Sequence, residues 1–218
     1  DGATGTNLFD MGLMSGDSPE LWNEEFPEKI IKLHKNAVDA GSDLFLTNSF
    51  GSNALRLKLH NLGDKAFKLS KLSAEIARGV ADCYDRPVFV AGSVGPTGEI
   101  MQPIGELTHK TAVEVFHEQA QGLKAGGVDL LWLETISAPE EFKAAAEAFS
   151  YIDLPWVGTM SFDTAGRTMM GTSPTALVDL ISSIPNKPAA FGANCGVGAS
   201  DLIRTVQEFS KSSPNEIL

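Results

Sequence analysis

The sequence is poor in cysteine and in positive charge, and it has no long apolar run. Its 218 residues include two cysteines, Cys83 and Cys195, which excludes a disulfide framework and favours a reducing, cytoplasmic compartment. Lys and Arg number 17 against 28 Asp and Glu, so the net charge is −11 and nucleic acid or an anionic membrane surface is not an expected partner. No apolar run approaches the roughly 18 residues of a membrane span, and no secretory signal is found.

The sequence also lacks the common catalytic and cofactor motifs. GxGxxG, the Walker pattern and GxSxG do not occur, so nucleotide binding and Ser-His-Asp chemistry have no support. His117 and Glu118 begin a metalloprotease-like pattern, but Gln121 stands where the second ligand would be. No CxxC or Cys/His cluster supplies the three or four ligands of a zinc site. With 43% hydrophobic and 21% charged residues, the chain has the composition of one globular domain over 1–218.

Short apolar runs alternate with segments that carry apolar residues at helical spacing. Each run is the length of a buried strand; the five runs are 43–48, 87–93, 128–134, 155–161 and 189–195. Boundary residues agree with this alternation: a capping box at Ser137 and Glu140, a helix start at Ser173-Pro174, and helix ends at Gly41 and Gly126. The order therefore predicts repeated β-α units with parallel strands.

Polar residues stand where the predicted strands end. With one further strand expected to end at Asp1, about six βα units result, which suits either an incomplete (β/α)8 barrel or a complete open sheet. The strand ends carry Asp1, Asn48, Ser93, Glu134, Ser161 and the pair Asn194-Cys195. A barrel would gather all six ends into one ring, whereas an open sheet would bring together only those near its switch point. The polar ends therefore favour the barrel and predict a site at its mouth.

Each candidate residue has a structural alternative. Cys195, flanked by glycine, is a ligand, a nucleophile or a small core residue. Glu134 ends the most apolar strand, where it is either functional or part of a rim salt bridge. The turn at 1–6 exposes backbone N–H groups for a carboxylate or phosphate, or is an ordinary βα turn. Trp22 is either a cation–π partner of a quaternary ammonium or a hydrophobic plug under its loop.

Six ordered motifs resemble one known family. They are DGATGTNL at 1–8, AGSDLFLTNSF at 40–50, VAGSVGPTGE at 90–99, GVDLLWLET at 127–135, TMSFDTAGRTMMG at 159–171 and FGANC at 191–195. In this order they resemble the homocysteine-binding domain family, which includes betaine-homocysteine methyltransferases and the homocysteine module of cobalamin-dependent methionine synthase. The similarity covers essentially the whole chain, and it looks most like the bacterial betaine-homocysteine methyltransferase type.

This resemblance implies a (β/α)8 TIM barrel that is truncated here, lacking the start of strand 1 and strands 7 and 8. It also implies one zinc ion at the carboxyl-terminal mouth, held by three cysteines. Cys195 matches the first of these ligands. The other two belong to a Gly-Gly-Cys-Cys motif that we expect beyond Leu218, so the 218 residues alone are expected to be inactive.

The same resemblance implies the substrate contacts. Glu134 would bind the amino group of homocysteine, Asp1 with the backbone of Gly2 and Ala3 would hold its amino-acid end, and Asn194 would support the metal ligand. Homocysteine would bind zinc through sulfur, so no catalytic residue beyond the metal and substrate ligands is expected.

The methyl donor implied by the resemblance is betaine, with Trp22 and Phe50 around its trimethylammonium group. Animal betaine enzymes, however, carry Tyr where this sequence has Gly51. Methylfolate through a cobalamin partner is therefore the alternative donor system, and a non-catalytic barrel fragment is the alternative to an enzyme. The expected partners are small molecules, with a homo-oligomer also compatible with the sequence.

Overall fold

The computed structural model of the chain describes residues 3–213, in which parallel strands alternate with helices. The strands are β1 (Leu44–Leu46), β2 (Phe89–Val94), β3 (Leu130–Ile136), β4 (Trp156–Met160) and β5 (Ala190–Ala193). The helices are α1 (Thr4–Asp10), α2 (Trp22–Glu25), α3 (Pro27–Asp39), α4 (Ala54–Lys58), α5 (Ala66–Ala81), α6 (His109–Gly126), α7 (Pro139–Ser150), α8 (Pro174–Ser183) and α9 (Ala199–Ser212), with 3-10 turns at Pro19–Leu21 and Gly63–Lys65.

The sheet order is β1-β2-β3-β4-β5, so every strand pairs in parallel with the strand that follows it in the chain. A doubly wound open sheet reverses its strand order at a switch point, and no reversal occurs among these five strands. The uninterrupted order is that of a barrel wall, with each crossover helix on the outer face. All five carboxyl ends therefore lie on one rim.

Side-chain alternation along β3 separates the helix-facing core from the inner face of the sheet. Leu131 and Leu133 are fully buried in the main hydrophobic cluster with helix residues such as Phe142. Trp132 and Glu134 are only partly buried and point to the opposite face, as the two-residue period of a strand requires. The same alternation that fills the core thus carries Glu134 to the inner side.

Small residues let α5 and α6 pack closely on the outside of the sheet. A Cβ at Gly126 would lie 2.3 Å from the carbonyl oxygen of Lys71, and one at Gly122 would lie 2.6 Å from that of Phe67. Arg78 of α5 then contacts both carboxylate oxygens of Asp129, at 3.1 and 3.0 Å, before β3 begins. None of the helices within 3–213 is both long enough and apolar enough to cross a membrane.

The five predicted strands are all present, and the helix boundaries are partly different from those predicted. Ser173 caps α8 as expected, accepting a hydrogen bond from the backbone N–H of Ala176 at 3.2 Å. The capping box at Ser137 is wrong, because Ala138 is the N-cap of α7 and offers no side chain, while Pro139 starts the helix. Gly127, rather than Gly126, adopts the left-handed φ of 94° after α6. The strand expected to end at Asp1 lies outside the described residues.

Candidate active site at the carboxyl-terminal rim

A cavity of about 650 Å³ opens where the strands end. Side chains that lie in or just after β1, β2, β3 and β5 line it together, including Asn48, Phe50, Ser93, Trp132, Glu134, Thr135, Asn194 and Cys195. The lining is mainly apolar with a few polar groups, as in small-molecule sites. The rim therefore brings together the predicted residues Glu134, Asn194, Cys195 and Phe50, although they are up to 145 positions apart in the sequence (195 − 50 = 145).

Glu134 is a desolvated carboxylate on the inner face of β3. Its Oε1 accepts a hydrogen bond from Ser93 Oγ at 2.5 Å, and its Oε2 accepts one from Asn194 Nδ2 at 3.3 Å. Burial raises the pKa of this carboxyl group, and the hydrogen bond from Ser93 partly opposes that rise. No Lys or Arg within 3–213 forms an ion pair with it. A cationic group in the cavity would compensate this buried charge.

Thr135, Asn194 and Cys195 form a compact group beside Glu134. Asn194 Oδ1 accepts a hydrogen bond from the backbone N–H of Thr135 at 2.9 Å, and Asn194 Nδ2 donates to Thr135 Oγ1 at 2.8 Å. The Cys195 sulfur lies 3.5 Å from both Thr135 Oγ1 and Asn194 Nδ2. This places the thiol, the amide and the carboxylate in one continuous chain of contacts.

The backbone at this group is strained. Thr135 has φ 60° and Cys195 has φ 58°, in the left-handed region that glycine favours. For β-branched Thr135 this conformation is exceptional, and it coincides with a shift in the β3–β4 register between Leu133 and Ile136. Such strain costs on the order of 1–3 kcal/mol per residue and is typical of functional sites.

The residues after β1 take part in a buried polar network, in which Gln119 Oε1 is left without a hydrogen-bond partner among the described residues. Asn48 Nδ2 donates to the carbonyl oxygen of Pro19 at 2.8 Å and lies 3.2 Å from Asn23 Oδ1. Asn23 Nδ2 in turn donates to the carbonyl oxygen of Asn48 at 2.9 Å. Gln119 of α6 donates to the carbonyl oxygen of Ser49 at 2.7 Å. These bonds fix the loop after β1 against the helices.

The residues predicted to bind the donor are separated. Phe50 lines the cavity, whereas Trp22 is 5% exposed and packs with Leu8, Leu13 and Ile30. Lys29 Nζ lies 4.2 Å from the Trp22 ring centroid and covers it. Trp22 instead lines a different depression, with Phe26 and His60 among its neighbours. The structure thus places Trp22 where the alternative interpretation, a hydrophobic plug, would have it.

The buried carboxylate of Glu20 determines which residue fits beside Phe50. Its Oε1 accepts a hydrogen bond from the backbone N–H of Gly51 at 2.7 Å, and its Oε2 accepts one from Ser18 Oγ at 2.8 Å. A Cβ at position 51 would lie 2.7 Å from that same Oε1. A side chain at Gly51 would therefore require the Glu20 carboxylate to shift from its present position.

The predicted contacts of the amino-acid end are only partly described. Ala3 is exposed and lines the cavity, while Asp1 and Gly2 lie outside the described residues. No group of three or more His, Cys, Asp or Glu side chains within 3–213 could hold a metal ion. The exposed thiol of Cys195 suits one position of a zinc site, since thiolate sulfur is a preferred zinc ligand.

Thr135 and Glu20 are site residues that the sequence did not reveal. Thr135 follows Glu134 as an ordinary β-former, and its positive φ has no signature in the sequence because β-branched residues avoid that region. Glu20 has no sequence signature either, because its carboxylate comes close to Gly51 only when the two loops are folded together.

A barrel wall with a thiol and a buried carboxylate at its mouth defines the class of site, and comparison with known proteins defines the family. Residues 1–218 match the family described as homocysteine S-methyltransferase. The chain therefore belongs to the homocysteine S-methyltransferase family.

Curated relatives include two mycobacterial methionine synthases. The chain is 29% identical over 226 residues to that of Mycobacterium leprae (strain TN), covering 97% of this chain and 18% of the relative. It is 28% identical to that of Mycobacterium tuberculosis (strain ATCC 25618 / H37Rv), covering 97% of this chain and 19% of the relative. The chain thus spans about a fifth of the length of these relatives.

Solved structures support the same fold. The metallated form of the homocysteine methyltransferase MmuM from Escherichia coli superposes with a TM-score of 0.86 at 23% identity, covering 100% of this chain and 81% of that one. The apo form of the same protein gives a TM-score of 0.78 at 21% identity, with 100% and 79% coverage. The predicted fold, a TIM barrel truncated relative to the solved chain, is confirmed.

Proposed function

We propose that this chain binds homocysteine and forms part of an enzyme that methylates its thiol to give methionine. One observation carries the proposal: Glu134, a partly buried carboxylate that forms no ion pair with a Lys or Arg within 3–213, shares a cavity with the exposed thiol of Cys195. An amino acid that ends in a thiol matches both groups, since its ammonium complements the carboxylate and its sulfur can share a metal ion with the cysteine. Family membership supports this substrate.

In this proposal Glu134 binds the ammonium group of homocysteine. The ammonium replaces the water that burial has removed, so the bound carboxylate is stabilised in its charged form. Ser93 and Asn194 hold the two carboxylate oxygens in place before the substrate arrives. Ala3, together with Asp1 and Gly2 of the same turn, receives the substrate carboxylate, as the family resemblance implies.

Cys195 is proposed as one ligand of a zinc ion, whose remaining protein ligands lie outside the described residues. Zinc, when bound, would lower the pKa of the homocysteine thiol so that the thiolate exists at neutral pH. Asn194 and Thr135 contact the Cys195 sulfur and restrict its position. With a thiolate available, the protein needs no general base, which suits a cavity lining without histidine.

The reaction is a direct displacement at the methyl carbon. The homocysteine sulfur forms a bond to that carbon while the bond from carbon to the donor breaks, and the electron pair of that bond leaves with the donor. With betaine the leaving group is the neutral amine of dimethylglycine, so one positive charge is lost. The apolar part of the lining, including Phe50 and Trp132, excludes water from this exchange.

Betaine is the first candidate donor, and aromatic side chains in the cavity support it. Phe50 and Trp132 both line the cavity, and aromatic faces attract quaternary ammonium groups. The carboxylate of Glu20, also in the lining, adds negative charge near Phe50. Trp22 was predicted for the same role, but its ring is covered by Lys29, so Trp132 replaces it in this proposal.

A methylcobalamin donor supplied through methylfolate is the second candidate. Two observations favour it: the curated relatives named above are methionine synthases, and position 51, where animal betaine enzymes carry Tyr, is glycine here. In this alternative the chain is the homocysteine module of a larger protein.

Small molecules are the partners proposed here, and the acidic, cysteine-poor composition supports a cytoplasmic location. A homo-oligomer is compatible with this proposal.

Methionine formation in the full-length protein tests the proposal. Purified zinc-loaded protein is incubated with homocysteine and either betaine or methylcobalamin, and methionine is measured by mass spectrometry. Methionine from betaine alone supports the first donor, and methionine from methylcobalamin alone supports the second. Absence of methionine with both donors, while Glu134→Gln binds homocysteine as tightly as the parent, would overturn the proposal and favour a non-catalytic barrel.

A further inference from the structure

The orientation of the Asn194 amide is fixed by its contact with the backbone. The N–H of Thr135 can only donate, so the atom 2.9 Å from it must be the amide oxygen of Asn194. The amide nitrogen is then the atom that lies 2.8 Å from Thr135 Oγ1. Since that nitrogen carries hydrogens and no free lone pair, the Thr135 hydroxyl accepts in this bond.

The hydroxyl proton of Thr135 is therefore free to donate elsewhere. Among the contacts of this hydroxyl within 3–213, the Cys195 sulfur at 3.5 Å is the remaining acceptor. A sulfur acceptor forms longer hydrogen bonds than oxygen does, and 3.5 Å is within its range. Asn194 Nδ2 lies at 3.5 Å from the same sulfur, but its hydrogens have nearer acceptors in Thr135 Oγ1 and Glu134 Oε2.

We propose that Thr135 is a positioning residue whose hydroxyl donates a hydrogen bond to the Cys195 sulfur. This deepens the proposed function, on which its relevance to zinc and homocysteine depends. In this arrangement the Asn194 amide donates to the Thr135 hydroxyl, and the Thr135 hydroxyl donates to the Cys195 sulfur. Because Asn194 also donates to Glu134, one amide side chain orients both the proposed ligand of the metal and the proposed partner of the substrate ammonium.

The unusual backbone at both residues fits this role. The left-handed φ of Thr135 and of Cys195 occurs at the two residues whose side chains meet, although they follow different strands. A side chain that only continued β3 would gain nothing from leaving the extended conformation. The strained backbone conformations instead accompany the contact between the Thr135 hydroxyl and the Cys195 sulfur.

The test compares Thr135→Val, which keeps the branched shape and removes the hydroxyl, with Thr135→Ser, which keeps the hydroxyl. All proteins carry Cys83→Ser, so that Cys195 is the only thiol within 3–213. In metal-free full-length protein, the rate of Cys195 alkylation by iodoacetamide is read at pH 7.5 by peptide mass spectrometry. The hydrogen bond holds the sulfur in one position, so we expect the alkylation rate of Thr135→Val to differ about threefold from that of the parent and the rate of Thr135→Ser to match it.

The second readout is the affinity for Zn²⁺ in competition with a chromophoric chelator. Loss of an outer hydrogen bond to a metal ligand typically weakens binding 10- to 100-fold, so we expect this loss for Thr135→Val and parental affinity for Thr135→Ser. Equal alkylation rates and equal affinities in parent and Thr135→Val would overturn the inference, as would equal losses in both variants. If the parent protein takes up no zinc, the metal site of the proposed function fails, and the alkylation rates still decide the hydrogen bond.

Discussion

The two halves of the rim use strand-end polar residues in opposite ways. After β1 and β2, Asn48 is 3% exposed and Ser49 is fully buried, and both are engaged by neighbouring loops and helices. After β3 and β5, Glu134 is desolvated without a cation, and Thr135 and Cys195 hold strained backbone conformations. The half after β1 makes most of its polar contacts within the protein, although Gln119 Oε1 has no hydrogen-bond partner there. The half at β3 and β5 holds a carboxylate that forms no ion pair with a Lys or Arg within 3–213, and a cationic ligand could compensate that charge.

The difference shows that a polar residue at a strand end is not by itself a functional residue. Polar residues at the carboxyl ends of parallel strands predict a site, and both halves have such residues because the sheet places all the carboxyl ends on one rim. They are distinguished by whether folding leaves a charge uncompensated and a backbone strained. The following four predictions test this division, from the largest effect to the smallest.

The largest effect is expected at the thiol. Cys195→Ala removes the proposed zinc ligand, so the full-length protein should lose stoichiometric zinc, measured by elemental analysis after dialysis. Cys83→Ala is the matched control, since that exposed thiol donates only to the Gly79 carbonyl oxygen, at 3.1 Å. Zinc retained at one equivalent in Cys195→Ala would show that the half of the rim at β3 and β5 is not a metal site.

A substitution in the half of the rim after β1 should change the free energy of unfolding instead. Asn48→Ala removes the donor to the Pro19 carbonyl oxygen and to Asn23 Oδ1, while the bond from Asn23 Nδ2 to the backbone carbonyl of residue 48 remains. We expect a loss of about 3 kcal/mol in the free energy of unfolding. Urea denaturation measures this loss, and homocysteine affinity of the remaining folded protein should stay within about twofold, since Asn48 is held by other residues. A large loss of affinity with unchanged stability would reverse the assignment of the two halves.

Glu134→Gln should show the opposite pattern. The amide keeps the shape of the side chain but cannot compensate an ammonium group, so homocysteine binding should weaken about thirtyfold, or ~2 kcal/mol. Stability should be unchanged or slightly higher, because a desolvated charge is removed. Isothermal titration calorimetry and thermal unfolding measure the two quantities. Binding equal to that of the parent would remove Glu134 from the substrate site.

The smallest effect concerns His34 of α3, which packs on Phe45 of β1 with ring centroids 4.8 Å apart. Burial lowers the pKa of His34 to about 4, and Asp10 and Lys32 line the adjoining cavity. In the unfolded chain the pKa of histidine has its ordinary value of about 6.5. At a pH between that value and about 4, the unfolded chain binds more protons than the folded protein, so the free energy of unfolding falls as the pH falls. With an ordinary histidine pKa in the unfolded chain, the loss in the free energy of unfolding from pH 7.5 to 5.5 is about 1.4 kcal/mol.

His34→Leu is the control for that slope. It removes the titrating group, so the part of the pH dependence above pH 5.5 that His34 causes should disappear in urea denaturation. An unchanged slope in His34→Leu would assign the pH dependence to other groups.

The sequence predicted the wall of the barrel well because strands and helices there follow strong periodic patterns. Leu131 and Leu133 alternate with Trp132 and Glu134, which suffices to place the acid on the inner face. Helix ends were harder to predict: Ser137 and Glu140 match a capping box, but Pro139 fixes the first helical residue and so makes Ala138 the cap. A single position of error is enough to change the capping residue.

The site was only partly predictable, for a different physical reason. Glu134, Asn194 and Cys195 could be found because motif resemblance and strand ends both pointed to them. Thr135 and Glu20 matter through contacts between loops that are distant in sequence, 59 and 31 positions apart. The sequence could not show that Lys29 covers the ring of Trp22, because that contact forms only in the folded protein.

The contact between Gly51 and Glu20 restricts how this cavity could change its substrate by mutation. A side chain at position 51 meets the carboxylate of Glu20, so even Gly51→Ala is opposed while Glu20 keeps its two hydrogen bonds. A shorter residue at position 20 would remove this contact, so a larger residue at position 51 would then fit with less rearrangement. The two positions are therefore coupled: a substitution at one changes which residues fit at the other.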